Sequence, residues 1–192
     1  MEEFNSQKFI LNSVNILLQS IGELPIEDVE DIDAIIEARI ARDAIIESKM
    51  FVLSSGWNIN TDSDYELHTD ENGYINVPVN ALDVRIDGNP NIIVRDGLLY
   101  DKSTKTRKFT DSVSARIIWN LDFNTLPHPF RHYITVLASR IFQGRLMSDK
   151  TVYSFSQEDE QKALLLLRRS EGFTGQYNML NSTFGRTLNI LG

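Results

Sequence analysis

The stretch Ser54–Asn60, with the sequence SSGWNIN, fixes the architecture, because the spacing of apolar residues changes there. Before it, apolar residues recur every three or four positions, which is typical of amphipathic helices. After it, from Trp57 to about Leu121, they alternate or fall in short runs between turn residues, which is typical of strands. Helical spacing returns near Pro127. The pattern therefore predicts a β module inserted into a helical domain.

Four helices are predicted outside the β module, each from an apolar stripe on one face. The first stops at Gly22, because glycine readily adopts the left-handed conformation that closes a helix. The third starts at Pro127 and Pro129, because proline is tolerated in the first turn of a helix. The fourth is capped by Ser156 and stops at Gly172. The predicted ranges are 6–20, 31–54, 127 onward and 156–172.

Short strands separated by turn residues are predicted in the middle of the chain. Asn72 and Gly73 form a dipeptide that favours the positive dihedral angles of a tight hairpin. The predicted strands are 57–67, 74–77, 81–86, 92–94, 98–100 and 113–121, the last buried on both faces. The predicted fold class is α+β, a four-helix bundle with an antiparallel β module, a sheet or small sandwich, inserted between helices two and three. The predicted domains are 1–56 with 123–180, 57–122, and a C-terminal tail at 181–192.

Composition excludes several classes of protein. The chain has 192 residues, 42% of them hydrophobic, and its longest apolar run, Ala163–Leu167, is too short to span a bilayer. The acidic N-terminus predicts no secretory signal. The absence of cysteine excludes disulfides and thiolate metal sites, and fits a reducing cytosol. A net charge of −8 argues against tight nucleic-acid binding. The basic segment 102–108 is predicted to be a solvated, mobile loop tip.

Two motifs resemble metal sites but are interpreted otherwise. His128 and His132 are four residues apart, as metal ligands on one helical face are, but no glutamate follows the first histidine. We therefore predict a partly exposed histidine pair. The carboxylates of Asp62, Asp64 and Glu66 alternate as at the start of a calcium loop, but the rest of the loop pattern fails. We therefore predict a polar strand edge there.

No reaction is indicated by the remaining motifs. The chain has no serine-nucleophile elbow, phosphate-binding loop or dinucleotide fingerprint. We therefore predict no enzyme activity, no catalytic, cofactor-binding or metal-binding residues, and no cofactor.

Two helical surfaces are candidates for contacts. The turn Leu164–Leu167 is apolar on all sides, so it lies at the centre of the bundle or is covered by another subunit. The small residues Ala34, Ala38 and Ala41 lie on a second face of helix two, and we expect them to pack within the chain.

Several segments, in order and spacing, resemble the tail tubular protein A family of short-tailed bacteriophages (podophages of the autographivirus type), also called adaptors or gatekeepers. The resemblance spans nearly the whole chain, and its segments fall on the predicted boundaries of helices and strands. They are Val14–Leu17, Ile21–Pro25, Ser55–Asn60, Leu99–Asp101 with Phe109, Leu126–Pro127 with Phe130–Arg131 and Tyr133–Ile134, Ala138–Arg140 with Phe142, and Tyr177–Leu180.

The resemblance implies a structural virion protein in the phage tail, assembled in the host cytoplasm. Its implied form is a dodecameric ring that joins the portal protein to the tail nozzle protein (tail tubular protein B) and forms part of the DNA ejection channel. Tail fibres are a further candidate partner, and DNA passes without specific binding. Arg39, Arg42, Arg168 and Arg169 are candidates for ion pairs between the acidic subunits.

The alternative is a virion-associated carbohydrate hydrolase that aids penetration of the host envelope. It requires two facing carboxylates in a cleft of the β module, one with a raised pKa. The sequence singles out no such pair.

Overall fold

A computed structural model describes residues 8–86, 88–146 and 157–181, and in the last helix it describes side chains only as far as Gly172. Apart from Asn181, the predicted tail lies outside these residues, as does the predicted cap at Ser156. The helices are α1 (Lys8–Gln19), α2 (Asp31–Ala34), α3 (Ile36–Leu53), α4 (His128–Leu146) and α5 (Gln157–Asn181). The strands are β1 (Thr61–Leu67), β2 (Ala81–Ile86), β3 (Ile92–Arg95), β4 (Leu98–Asp101) and β5 (Val113–Trp119).

The predicted mixture of helices and antiparallel strands is confirmed, but the second predicted helix is two helices. Ile35 separates α2 from α3 with an extended backbone, at φ −104° and ψ 126°. This one extended residue changes the phase of the helix that follows. Ile36, four residues after the buried Ile32, is therefore exposed. The core instead receives Ala38 and Ala41, which are fully buried within the chain as predicted, while Ala34 is exposed.

Two further helix ends were predicted from single residues, and one of these predictions is wrong. α4 begins directly after Pro127 and carries Pro129 in its first turn, as predicted. α5 continues to Asn181, so the predicted stop at Gly172 is wrong. A side chain added at Gly172 would meet no atom within 4 Å, and its φ is not positive. Glycine therefore occupies an ordinary exposed helical position there and does not end the helix.

The chain divides into two compact units, residues 1–52 with 122–192 and residues 53–121. In the first unit, α4 packs against both α1 and α5. The centre of this helical unit is apolar and closely packed. Its largest fully buried side chains are Leu17, Leu18, Ile45, Leu126, Phe130, Ile134, Phe142 and Leu167.

A line of polar contacts sets the register between α1 and α4. The hydroxyls of Ser13 and Thr135 lie 2.9 Å apart in the core. At one end, the Asn124 side chain accepts a hydrogen bond from the backbone N–H of Ile10 at 3.1 Å. At the other, the Gln143 amide donates to the carbonyl of Ser20 at 3.2 Å. Buried polar groups cost free energy unless they are paired, so sliding α1 along α4 would break these pairs together.

The second unit contains a three-stranded antiparallel sheet in the order β1–β5–β2 and a separate β3–β4 hairpin. β5 supplies the central strand, with Ala115 and Ile117 fully buried. Its other face is more open than predicted, since Ser114 and Arg116 are exposed. The buried centre of the unit consists of Leu67, Ile75, Leu99, Ala115 and Ile117.

Two segments of the β unit differ from the prediction. Residues 74–77, predicted as a strand, make only isolated bridges, such as Asn76 with Leu98. The loop before them is organised by a side chain. The carboxylate of Asp70 accepts hydrogen bonds from the backbone N–H groups of Asn72 and Tyr74 at 2.9 and 2.8 Å. The chain does reverse at the predicted hairpin turn, where Thr69 bridges Ile75 in antiparallel fashion, but of the Asn72-Gly73 dipeptide only Gly73 has a positive φ.

The junction Ser54–Asn60 is closed by one buried amide. β1 starts at Thr61, because residues 58–60 form a short 3₁₀ turn instead of the predicted strand. Asn60, 1% exposed, donates from Nδ2 to the carbonyls of Leu53 at 3.0 Å and Trp119 at 2.8 Å. Its Oδ1 accepts from the backbone N–H of Trp57 at 2.9 Å. Leu53 ends α3 and Trp119 ends β5, so this amide ties the entry of the β unit to its exit.

Gly56 makes the turn before this amide possible. Its φ of +71° lies in the left-handed region, which costs other residues about 1–2 kcal/mol. A Cβ there would also lie 2.8 Å from Cδ1 of Ile118. Glycine is therefore favoured there by both its dihedral angle and its size.

Asn60→Asp should destabilise the β unit by at least about 2 kcal/mol, because it leaves two buried carbonyls without donors and places a carboxylate against them. Both tryptophans of the chain lie in this unit, so urea unfolding followed by tryptophan fluorescence measures the effect directly. Asn91→Ala, at an exposed asparagine of the same unit, is the control and should change the free energy of unfolding by less than about 0.5 kcal/mol. Equal effects of the two variants would refute the role given to Asn60.

Gly56→Ala should destabilise the same unit more than Gly97→Ala does. Gly97 has a similar φ of +75° but open space around it, so its variant measures the dihedral cost alone. The additional cost at Gly56, from displacing Ile118, should be about 1 kcal/mol in the same urea measurement. Equal costs would mean that Ile118 moves aside freely.

Candidate assembly surfaces

The apolar turn predicted on the last helix is half buried and half exposed. Ala163 and Leu167, four residues apart on α5, are 1% and 0% exposed. Leu165 and Leu166 are 64% and 56% exposed. Leu167 therefore packs in the core of the helical unit, whereas Leu165 and Leu166 form an exposed apolar patch on the same helix. We call Leu165 and Leu166 the α5 patch.

A second apolar surface lies on α3, where the sequence predicted a buried face. Ile46 and Met50, one helical turn apart, are 43% and 45% exposed. Phe51 beside them is 69% exposed. We call these three residues the α3 patch. The sequence did not reveal it, because Ile46 and Met50 continue the apolar spacing and only the phase break at Ile35 turns them outward.

The arginines proposed for contacts between subunits differ in availability. Arg42 is engaged within the chain by Asp33 and Asp43, and its hydrogen bond to Asp33 raises its pKa. Arg39 and Arg168 are exposed. Arg169 is also exposed, although it already makes an interaction within the chain. Arg39 and Arg168 are therefore better suited than Arg42 to pair with another molecule.

The histidine pair forms a stack at the start of α4. The rings of His128 and His132 are nearly parallel, 7° apart, with centroids separated by 5.9 Å. Desolvation, followed by the charge of His128, lowers the pKa of His132. Within the described ranges no three histidine, cysteine or carboxylate side chains approach closely enough to hold a metal ion. The pair also lies at the positive end of the helix dipole, which disfavours a cation.

Other charged groups support the helical unit. Burial lowers the pKa of Arg131, whose guanidinium lies 3.7 Å from the Phe9 ring centroid and donates to the carbonyl of Leu126. Arg131 thereby holds α1 against the start of α4. Burial also lowers the pKa of Lys49, and the charge of Asp122 partly offsets this effect. The surroundings of Arg131 and Lys49 therefore give both residues a structural role in the helical unit.

Most residues of the basic loop 102–108 are exposed to solvent, as predicted, and hydrogen bonds within the β unit hold the loop. The carboxylate of Asp101 accepts hydrogen bonds from the Thr104 hydroxyl at 2.8 Å and the Ser103 N–H at 2.7 Å, and these bonds lower its pKa. Arg107 pairs with Asp96 at 2.6 Å. Asp96 and Asp101 partly neutralise the positive charge of this loop, so the loop is poorly suited to bind phosphate.

The carboxylates that resemble a calcium loop in spacing lie along β1, an edge strand of the sheet. The Asp62 carboxylate accepts from the Trp119 indole at 2.7 Å, and Glu66 accepts from the Ser112 hydroxyl. Asp64 has a φ of +57° at an irregularity of the β1–β5 pairing. Charges on an edge strand discourage pairing with foreign strands, so these residues form the predicted polar edge.

A cleft of about 600 Å³ lies between β2 and β3 in the β unit. Among its described lining residues the only carboxylate is Asp83, which is held by Arg85 at 2.7 Å. The described lining residues therefore do not include the facing carboxylate pair that a glycoside hydrolase needs. Among the helices that the structure describes, none has the length and hydrophobicity of a membrane span.

Two comparisons with known proteins match most of this chain. A family model described as "Tube: Tail tubular protein" matches residues 11–177. A relative named tail tubular protein A, from Klebsiella phage KP34, is 29% identical over 160 residues, which cover 82% of this chain and 84% of that protein. The matched region includes both exposed apolar patches and the whole β unit. The chain belongs to the tail tubular protein family, whose members are structural components of the phage tail.

Proposed function

We propose that this chain is the adaptor subunit of a short phage tail and forms a dodecameric ring that joins the portal to the tail nozzle. The ring forms part of the channel through which DNA is ejected, and tail fibres are a further contact. The observation that carries the proposal is the presence of two separate exposed apolar patches on a member of the tail tubular family. The subunit is assembled in the host cytoplasm and has no catalytic role.

A closed ring requires two different, complementary faces on every subunit. The α3 patch and the α5 patch supply such a pair, because they lie on different helices of the same unit and expose large apolar side chains. Stable interfaces of permanent assemblies bury about 2,000 Å² or more, so polar neighbours such as Arg39 and Arg168 lie at the rim. The α3 patch of one copy therefore contacts the α5 patch of the next.

We further propose a division of labour between two domains. The helical domain, 1–56 with 123–180 and built as a bundle, forms the ring. The β domain, inserted at 57–122, contacts the nozzle through its loops, because loops on a rigid sheet are adaptable binding surfaces. The ordered turns at Asp70 and Asp101 give these loops defined shapes. Acidic surfaces along the channel would repel DNA and keep it from binding as it passes.

The hydrolase alternative has no comparable support. The β2–β3 cleft lacks a carboxylate pair among its described residues. Asp101 has a lowered pKa, opposite to the shift that a general acid requires. A structural role accounts for the exposed patches, whereas a hydrolase leaves them unexplained.

Mixing two defective variants should test both patches together. Leu165→Asp with Leu166→Asp removes the α5 patch, and Ile46→Asp with Phe51→Asp removes the α3 patch. Neither variant should form rings with purified portal, because a charge in an apolar interface is strongly unfavourable. Mixed in equal amounts, they should stop at heterodimers, since one intact patch remains on each partner. Mass photometry and electron microscopy distinguish these products from dodecamers.

Leu24→Asp provides the control, because Leu24 is 84% exposed and lies on the loop between α1 and α2. This variant should assemble as the unmodified chain does. Full rings from either patch variant would contradict the proposed interface. An unmodified chain that stays monomeric with portal would contradict the adaptor function itself.

A further inference from the structure

Two arginines stand directly opposite each other on the three-stranded sheet. β2 and β5 are antiparallel, and Arg85 is in register with Arg116. Like charges at directly opposed positions destabilise a sheet, because their Cβ atoms lie only about 5 Å apart. Both side chains are exposed, so burial in the core does not explain them. The free chain thus carries an unfavourable pair on an open surface.

Both arginines line a small polar pocket within the β unit. The pocket has a volume of about 100 Å³ and is lined by Ser54, Ser55, Asp83, Arg85, Arg116 and Ile118. Among the described residues that line the pocket, only Asp83 is acidic. The carboxylate of Asp83 lies 2.7 Å from Nε of Arg85. The described lining therefore contains two guanidinium groups and one carboxylate, which leaves an excess of one positive charge.

The charge and size of the pocket define the ligand it suits. Guanidinium groups bind planar oxyanions through paired hydrogen bonds, and serine hydroxyls add further donors. The single excess charge matches a carboxylate. A phosphate carries more negative charge and would face repulsion from Asp83 at close range. The small volume admits the end of an acidic side chain and excludes a nucleotide.

We infer that the pocket formed by Arg85, Arg116 and Ser55 receives an aspartate or glutamate carboxylate from a second copy of this chain. The inference rests on the proposed ring, in which copies lie side by side. The chain has 27 acidic and 19 basic residues, so neighbouring copies present an excess of carboxylates to one another. The second copy removes the repulsion between Arg85 and Arg116 and links subunits at the level of the β unit.

Arg116→Glu should change stability and assembly in opposite directions. In the free chain it replaces a repulsive cross-strand pair by an attractive one, so the melting temperature should rise by about 1–3 °C. In assembly with portal it repels the incoming carboxylate, so the concentration for half-maximal assembly should rise at least about tenfold. Lys105→Glu makes the same charge change at an exposed site of the same unit and should alter assembly less than about threefold.

Cross-linking should identify the partner carboxylate. Arg116→Lys keeps the positive charge and provides an amine that a carbodiimide joins to a carboxylate in direct contact. Rings made from equal amounts of ¹⁴N- and ¹⁵N-labelled Arg116→Lys chains should yield cross-linked peptides of mixed labelling at residue 116, which only two copies can produce. Cross-links confined to one copy, such as to Asp83, would contradict a second-copy ligand.

The outcomes separate this inference from the proposed function. Rings of the unmodified chain together with unimpaired assembly of Arg116→Glu contradict the carboxylate pocket alone. A fall in both melting temperature and assembly assigns Arg116 a purely structural role and overturns the inference. Failure of the unmodified chain to form any ring with portal contradicts the adaptor function and, with it, the second-copy ligand.

Discussion

The buried amide of Asn60 is the contact on which the β unit depends. It joins the carbonyls of Leu53 and Trp119, the points at which the chain enters and leaves this unit. A single side chain thereby closes a loop of more than sixty residues. Gly56 is favoured beside it, because its positive φ strains most other residues and a Cβ there would crowd Ile118. The sequence marks this junction as a change in hydrophobic spacing. In the structure, the junction is held to the end of β5 by the hydrogen bonds of Asn60.

The helical unit shows how apolar residues are divided between folding and assembly. α5 buries Leu167 and exposes Leu165 on neighbouring positions of one apolar run. α3 buries Ala38 and exposes Phe51 because the extended residue at Ile35 shifts its phase. Apolar side chains in water are unfavourable when they gather in patches, so such patches mark surfaces that a partner covers. The same chemistry that stabilises the subunit would also join neighbouring copies in the proposed ring.

The charged side chains also fall into two groups, those in ion pairs within the chain and those that face a like charge. Most ion pairs at the surface are local, such as Arg42 with Asp33 and Arg107 with Asp96, and they stiffen turns and helix ends. The pair Arg85 and Arg116 is different, because its members repel each other across a strand pair. Features that are unfavourable in an isolated subunit are explained when assembly supplies the missing partner. The pocket and the two patches are therefore the features on which the proposed contacts between copies of this chain rest.

The amino-acid sequence was sufficient to predict the order of most helices and strands, the start of α4 at Pro127 and the family, because periodicity and proline act locally. It was not sufficient for the stop of α5, since an exposed glycine within a helix costs only about 1 kcal/mol. Nor did it reveal the outward α3 patch or the arginine pocket, and it left open whether the apolar turn of α5 lies in the core or is covered by another subunit. The residues of the α3 patch and of the pocket meet, or face solvent, only through the phase break at Ile35 and the register of β2 on β5. Which side of a helix or strand is left uncovered depends on tertiary packing, because the same apolar spacing serves a core and an exposed patch equally well.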